Sequence, residues 1–156
     1  MALRSLLAKD WTLEVNTSST AVPAWTTVKG LTKLEFTLDS ETEDDSDFDS
    51  NGWASEVVTQ RKWALEIEGR RKRDTGSASF VPDPGQEFLR KAGLVVGINA
   101  NVEVRWYRKD GSPDAFQGTA AVQYKGAGGE VTDLEPFECE LTGQGEPIEI
   151  DNPAAA

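Results

Sequence analysis

The sequence contains no histidine, which removes Ser-His and Cys-His nucleophilic machinery and histidine-ligated metal sites. It has one cysteine, so no intrachain disulfide can form. Cys139 lies in the alternating stretch Phe137-Glu138-Cys139-Glu140-Leu141 and reads as a small core residue. No apolar run approaches a membrane span. The run within Met1 to Asp10 is too short for a signal peptide, so the Asn16-Thr17-Ser18 sequon carries little meaning. Cations are scarce as well: 16 basic against 27 acidic residues give a net charge of -11. That charge repels phosphate and argues against a surface that grips nucleic acid, while leaving passive passage of DNA open. The glycine cluster Gly126 to Gly129 lacks the lysine and helix start of a phosphate loop. A non-catalytic protein without cofactors, made in the cytoplasm and not bound to membrane, is the expectation.

What is present is alternation. At 156 residues the chain suits one domain able to bury a core without staples. Apolar and polar residues alternate with the period of two that marks strands with one buried face. Trp11, Leu13 and Val15 predict a first strand, Trp25 to Val28 a second, and Leu34, Phe36 and Leu38 a third that runs into an acidic segment. Trp63, Leu65 and Ile67 mark the clearest strand, within Val57 to Gly69. Val102, Val104 and Trp106 predict another, joined through Lys109 to Pro113 to a strand over Phe116 to Lys125. The last runs from Phe137 to Gly143. One helix starts at Asp83-Pro84, an N-cap with proline at the first helical position, and stops at Gly93, with Phe88 and Leu89 as its anchors. The tail, residues 144–156, reads as an arm that orders only when packed on something.

Two charged segments stand out. Between Ser40 and Ser55 lies a long acidic loop in which Glu41, Glu43, Asp44, Asp45, Asp47 and Asp49 cluster beside the aromatics Phe48 and Trp53. Asp47-Phe48-Asp49-Ser50-Asn51-Gly52 matches the first half of a calcium loop, but Val58 stands where the bidentate glutamate belongs. Charge with embedded aromatics is what a protein interface uses, the aromatics as anchors and the charges for register. The complement is the run Arg70-Arg71-Lys72-Arg73, which as a block of like charge also reads as a solvated turn. Pairing of the two segments, within one subunit or between copies, is the expected interface.

The order of these features resembles the major tail tube proteins of long non-contractile-tailed bacteriophages over nearly the whole chain. The residues carrying the resemblance are a strand from Trp11, Val28-Lys29-Gly30-Leu31, Asp44 to Asp47 ahead of Gly52-Trp53, and the strand Trp63 to Ile67. Glu87-Phe88-Leu89 in a short helix, Phe116-Gln117-Gly118, and Phe137 to Gly145 complete the series. The resemblance implies an all-β, sandwich or barrel-like subunit with one short flanking α-helix and no C-terminal immunoglobulin-like domain. It implies a virion protein that self-assembles in the host cytoplasm into stacked hexameric rings, a conduit for double-stranded DNA. Its partners would be itself, a tape-measure protein, a tail terminator and tail tip proteins. The arms would be residues 1–10, 40–55 and 144–156. Outward strand positions Glu35, Glu66, Glu68 and Glu103 are the candidate lumen residues, and Lys62 and Arg105 on similar faces leave open which sheet lines the channel.

A rival reading is a monomeric β-sandwich, calcium-stabilised or carbohydrate-binding, with Trp25, Trp53 or Trp106 as a sugar platform. It predicts a monomer that calcium stabilises.

Overall fold

The computed structural model describes residues 1–155. Its elements are β1 (Trp11–Asn16), β2 (Trp25–Thr27), β3 (Leu31–Asp44), β4 (Glu56–Arg70), α1 (Pro84–Ala92), β5 (Asn101–Arg108), β6 (Ala115–Tyr124), β7 (Pro136–Gly143) and β8 (Ile148–Glu149). All strand pairs are antiparallel, and the strands form one sheet in the order β2-β1-β5-β6-β7-β4-β3, with β8 pairing the first residues of β6. The sheet curls far enough for β1 to approach β3, giving the barrel-like shape.

The alternation read from the sequence is the alternation of burial. Leu13, Val15, Leu65, Ile67, Val104, Trp106, Phe137, Cys139 and Leu141 all point into one core cluster. Phe36, Trp63, Trp106 and Phe116 meet in its middle, ring centroids 5.0 to 6.3 Å apart. Burial of this kind, at about 25 cal/mol per Å² of apolar surface, supplies the main drive to fold. Trp63 lies flat over Gly118 and Gly143, and a Cβ at Gly143 would stand 2.3 Å from the indole. The indole nitrogen donates to the Gly145 carbonyl at 2.8 Å. Cys139 is buried, and desolvation pushes its thiol up to about 12, so it is no nucleophile.

Helix α1 begins where expected: the Asp83 carboxylate caps the Gln86 amide at 3.2 Å, Pro84 is the first helical residue and Gly93 the C-cap. Leu89 is buried and Phe88 packs on the core edge. The second helix residue to matter is Gln86, 2 % exposed. Its amide nitrogen donates to the carbonyls of Lys29 (2.7 Å) and Arg70 (2.8 Å), and its oxygen accepts from the Lys72 amide (2.9 Å). One side chain therefore joins the helix, the β2–β3 connection and the end of β4.

Three expectations change. β3 does not stop at Leu38 but continues to Asp44, and β4 begins at Glu56, so the first five residues of the expected acidic loop, 40–44, are strand and the loop proper is 45–55. The tail does not wait for a partner: β8 pairs with Phe116 and Gln117, and Asn152, 8 % exposed, donates to the carbonyls of Arg108 (2.8 Å) and Ser112 (2.5 Å). Trp106 is fully buried and cannot be a sugar platform; Trp25 lies beneath the Arg105 guanidinium, 4.5 Å from it.

Candidate assembly surfaces

The first surface is a two-stranded ribbon. β7 pairs with β4 only from Ala64 to Arg70, so Glu56 to Trp63 have only β3 for a neighbour. Beyond the sheet the ribbon pairs Asp39 with Lys62, Glu41 with Gln60, Glu43 with Val57 and Asp44 with Glu56, with one register shift between Glu41 and Thr42. At its tip the Ser46 hydroxyl accepts from the Ser55 amide (2.8 Å) and Phe48–Ser50 forms a 3-10 turn. Asp47 caps that turn, accepting from the Asp49 amide at 3.0 Å and from the Ser50 hydroxyl at 3.2 Å. Asn51 sits in the left-handed region with φ 54 and Gly52 follows with φ 83. Half a calcium motif thus serves as a capped turn, with Asp47 committed to the backbone.

Between Asp39 and Gln60 the ribbon carries eight carboxylates and no cation. Among the described residues no ion pair forms on it, and Asp44 faces Glu56 directly across the strands. Like charges so placed destabilise a ribbon. Hydrogen bonds from Ser46 hold the Asp44 carboxyl below the usual range, which keeps it ionised. Phe48 is fully exposed, Trp53 is 81 % exposed, and Leu38, Val57 and Val58 are exposed along the strands. A ribbon that buries so little of itself has no reason within one subunit to project this far.

At the other end of β4 lies the cationic run. Arg70 closes the strand, and the backbones of Arg73 and Asp74 pair with Pro82 and Val81. Arg71 reaches Glu87 at 3.5 Å, whose carboxyl is held below its ordinary value chiefly by its hydrogen bond to Arg90. Arg70, Lys72 and Arg73 have no carboxylate partner among the described residues. The guanidinium carbons of Arg71 and Arg73 stand 5.6 and 5.9 Å from the Phe80 ring centroid, and Phe80 is itself 56 % exposed. The fourteen residue steps from Glu56 to Arg70, at about 3.3 Å each, separate the two charged ends by on the order of 40 Å. The acidic and cationic segments therefore do not meet within one subunit.

The polar face of the sheet gathers the candidate lumen residues. Glu35, Glu66 and Glu140 stand abreast, as do Lys33, Glu68 and Glu138. The Lys33 amine lies 3.3 to 3.8 Å from Glu35, Glu66 and Glu68. Glu103, on the same face, accepts from Gln117 (2.7 Å) and Asn16 (3.2 Å). Next to it Glu14, 8 % exposed, takes hydrogen bonds from Arg105 and from the Tyr107 hydroxyl. Burial first, and Glu14 second, push the Tyr107 phenol up to about 12. The four glutamates thus share one face. Glu14, Glu138 and Glu140 were missed, although their alternation with Leu13, Val15, Phe137, Cys139 and Leu141 was the available signal.

Two further exposed features went unread. The full length of β3 is an unpaired sheet edge. The segment after α1 exposes Leu94, Val96 and Ile98. In the expected N-terminal arm Leu3, Leu6 and Leu7 are exposed as well. Arg108, 3 % exposed, binds the Leu7 carbonyl (3.3 Å) and Asp10 (3.4 Å) and receives Asn152 on its own carbonyl, so both terminal segments are fastened at the β5–β6 turn.

Neither a protein-family model nor a curated protein matches the sequence. Solved structures do match in fold. A chain in the tail of an empty gene transfer agent particle, refined with helical C6 symmetry, aligns at TM-score 0.71 and 18% identity over 94% of this chain and 99% of that one. A chain in the native gene transfer agent virion aligns at TM-score 0.64 and 16% identity, covering 92% and 97%. The SPP1 tail tube, a hybrid solid-state NMR and cryo-EM structure, aligns at TM-score 0.67 and 12% identity, covering 90% and 77%. The chain has the fold of these tail proteins: a mostly antiparallel sheet with a single α-helix.

Proposed function

We propose that the protein is a tail tube subunit, a structural virion component without catalytic activity that polymerises into stacked hexameric rings. The observation that carries this reading is the projecting ribbon with its exposed Phe48 and Trp53, joined to a fold otherwise found in tail structures, one of them with C6 symmetry. The open β3 edge supports it. An unpaired edge fourteen residues long invites another chain, and closure across copies into a continuous barrel satisfies it.

The channel wall in this reading is the polar face bearing Glu35, Glu66, Glu68 and Glu103. Glu138 and Glu140 add to it, and Lys33 and Lys125 neutralise only part of the charge. A wall of net negative charge repels double-stranded DNA without holding it, over about the 8 Å that salt permits. The subunit works as one domain with residues 1–10, the ribbon within 40–55 and the tail within 144–156 as assembly arms. Its assembly takes place in the host cytoplasm, with a tape-measure protein inside the tube and terminator and tip proteins at its ends.

Negative-stain microscopy of the purified protein as its concentration is raised tests the reading. Rings or tubes insensitive to chelator are expected. A protein that stays monomeric and melts higher with calcium or with an oligosaccharide would instead be the rival β-sandwich.

A further inference from the structure

On the basis of the tail tube reading, we propose that the acidic ribbon of one copy docks on the cationic end of a second copy, with Phe80 and its flanking guanidiniums as the receiving surface. The charges require a partner that the subunit does not contain. Eight carboxylates on the ribbon and the cations Arg70, Lys72 and Arg73 all lack ion-pair partners among the described residues.

A protein with a net charge of -11 has carboxylates in excess, yet it leaves three cations of one run unpaired, two of which, Lys72 and Arg73, line a depression with the exposed Phe80 ring. The geometry excludes the intramolecular solution. Both surfaces belong to the two ends of β4, which is laddered to β3 along its length. A strand cannot fold back on itself without giving up that ladder, so the complement of each end is the other end of another copy. A contact between two different surfaces of identical chains is heterologous, and it propagates without limit unless the rotation closes. Ring formation and tube growth both need such a directional contact.

The receiving surface has the shape as well as the charge. Arg71, Lys72, Arg73, Phe80 and Glu135 line a depression of about 450 Å³. It presents the Phe80 ring with two guanidiniums 5.6 and 5.9 Å from its centroid, an arrangement suited to an aromatic flanked by carboxylates. The ribbon tip supplies that pattern, with Phe48 between Asp47 and Asp49 and Trp53 four positions past Asp49. Glu135 is the one carboxylate in the depression, and its backbone carbonyl already accepts the Arg71 amide. Three exposed charge pairs contribute little each, so the aromatic contacts supply affinity while the charges select partner and orientation.

The test is a charge exchange. One variant carries Glu43→Lys, Asp45→Lys and Asp49→Lys, positions whose side chains make no hydrogen bond within the tip; the other carries Arg70→Glu, Lys72→Glu and Arg73→Glu. Each alone should fold, by circular dichroism, and should need on the order of tenfold or more protein to form tubes. Mixed in equal amounts, or combined in one chain, the two should recover assembly, because every reversed surface then finds a reversed partner. Should either triple variant fold poorly, the neutral set Glu43→Gln, Asp45→Asn and Asp49→Asn replaces it, and its assembly should lose most of its dependence on salt. Ribbon-reversed protein assembling like wild type, or a mixture as inert as its parts, overturns the docking while wild-type tubes sustain the tail tube reading. Wild-type protein that never forms rings or tubes removes that reading and the docking with it.

Discussion

Gln86→Ala should destabilise the subunit far more than its polar, surface-sounding identity suggests. The side chain is 2 % exposed and makes three hydrogen bonds of 2.7 to 2.9 Å, all to backbone groups, in two segments outside its own helix. Truncation leaves the carbonyls of Lys29 and Arg70 and the amide of Lys72 without that partner. Each loss costs about 1 kcal/mol where water replaces the side chain and up to about 3 kcal/mol where it does not, so the sum lies between roughly 3 and 9 kcal/mol. For a domain whose total stability is about 5 to 15 kcal/mol that is a large fraction, and the melting temperature should fall by roughly 10 °C. The assay is thermal circular dichroism on subunits kept unassembled by low concentration. Gln86→Glu adds a signature in pH. The introduced carboxylate faces two carbonyl oxygens in a dry site, so its folded-state pKa lies above its unfolded value. The stability it retains is present below the unfolded carboxyl pKa and is lost as pH rises through the folded one, so this variant should melt higher in acid than at neutrality relative to wild type. Because Gln86 also holds Arg70 and Lys72, both variants should weaken assembly. An alanine variant melting within about 2 °C of wild type would refute the reasoning.

Gly143→Ala places a methyl 2.3 Å from the Trp63 indole, which must then leave its seat and its bond to Gly145; a loss of about 2 kcal/mol or more in chemical denaturation is expected, and an unchanged midpoint would mean the indole can shift freely. Glu87→Gln removes the carboxylate shared by Arg90 (2.5 Å) and Arg71 (3.5 Å). Its folded pKa is lowered, so its contribution of about 1 kcal/mol exists above the unfolded carboxyl value and disappears as pH falls through the folded one. Wild type and Glu87→Gln should therefore differ at pH 7 and converge in strong acid, as denaturant midpoints across pH will show.

The alternating strands were legible because period-two burial is written locally: Trp63, Leu65 and Ile67 on one side, Lys62, Glu66 and Glu68 on the other. The helix was legible because a capping aspartate, a proline and a terminal glycine act within a few residues of one another. The extent of β3 and β4 was not, because the acidic residues from Glu41 to Asp44 have poor strand propensity and are held in strand only by their ladder with Glu56 to Gln60. β8 was missed for a related reason: two residues carry no period, and their place depends on the stretch of β6 that β7 leaves open.

By itself the sequence determined the all-β fold class, since alternation acts through nearest neighbours. It also marked both charged segments, because charge is visible without a fold. Only the tertiary structure decided that these segments lie at opposite ends of one continuous strand, that Phe80 stands among the cations, and that Trp106 is core while Trp53 is surface. Those facts depend on which strands pair and how far each runs past its neighbour. Pairing between residues distant in the chain is set by the packing of the whole core, which no local stretch of sequence records.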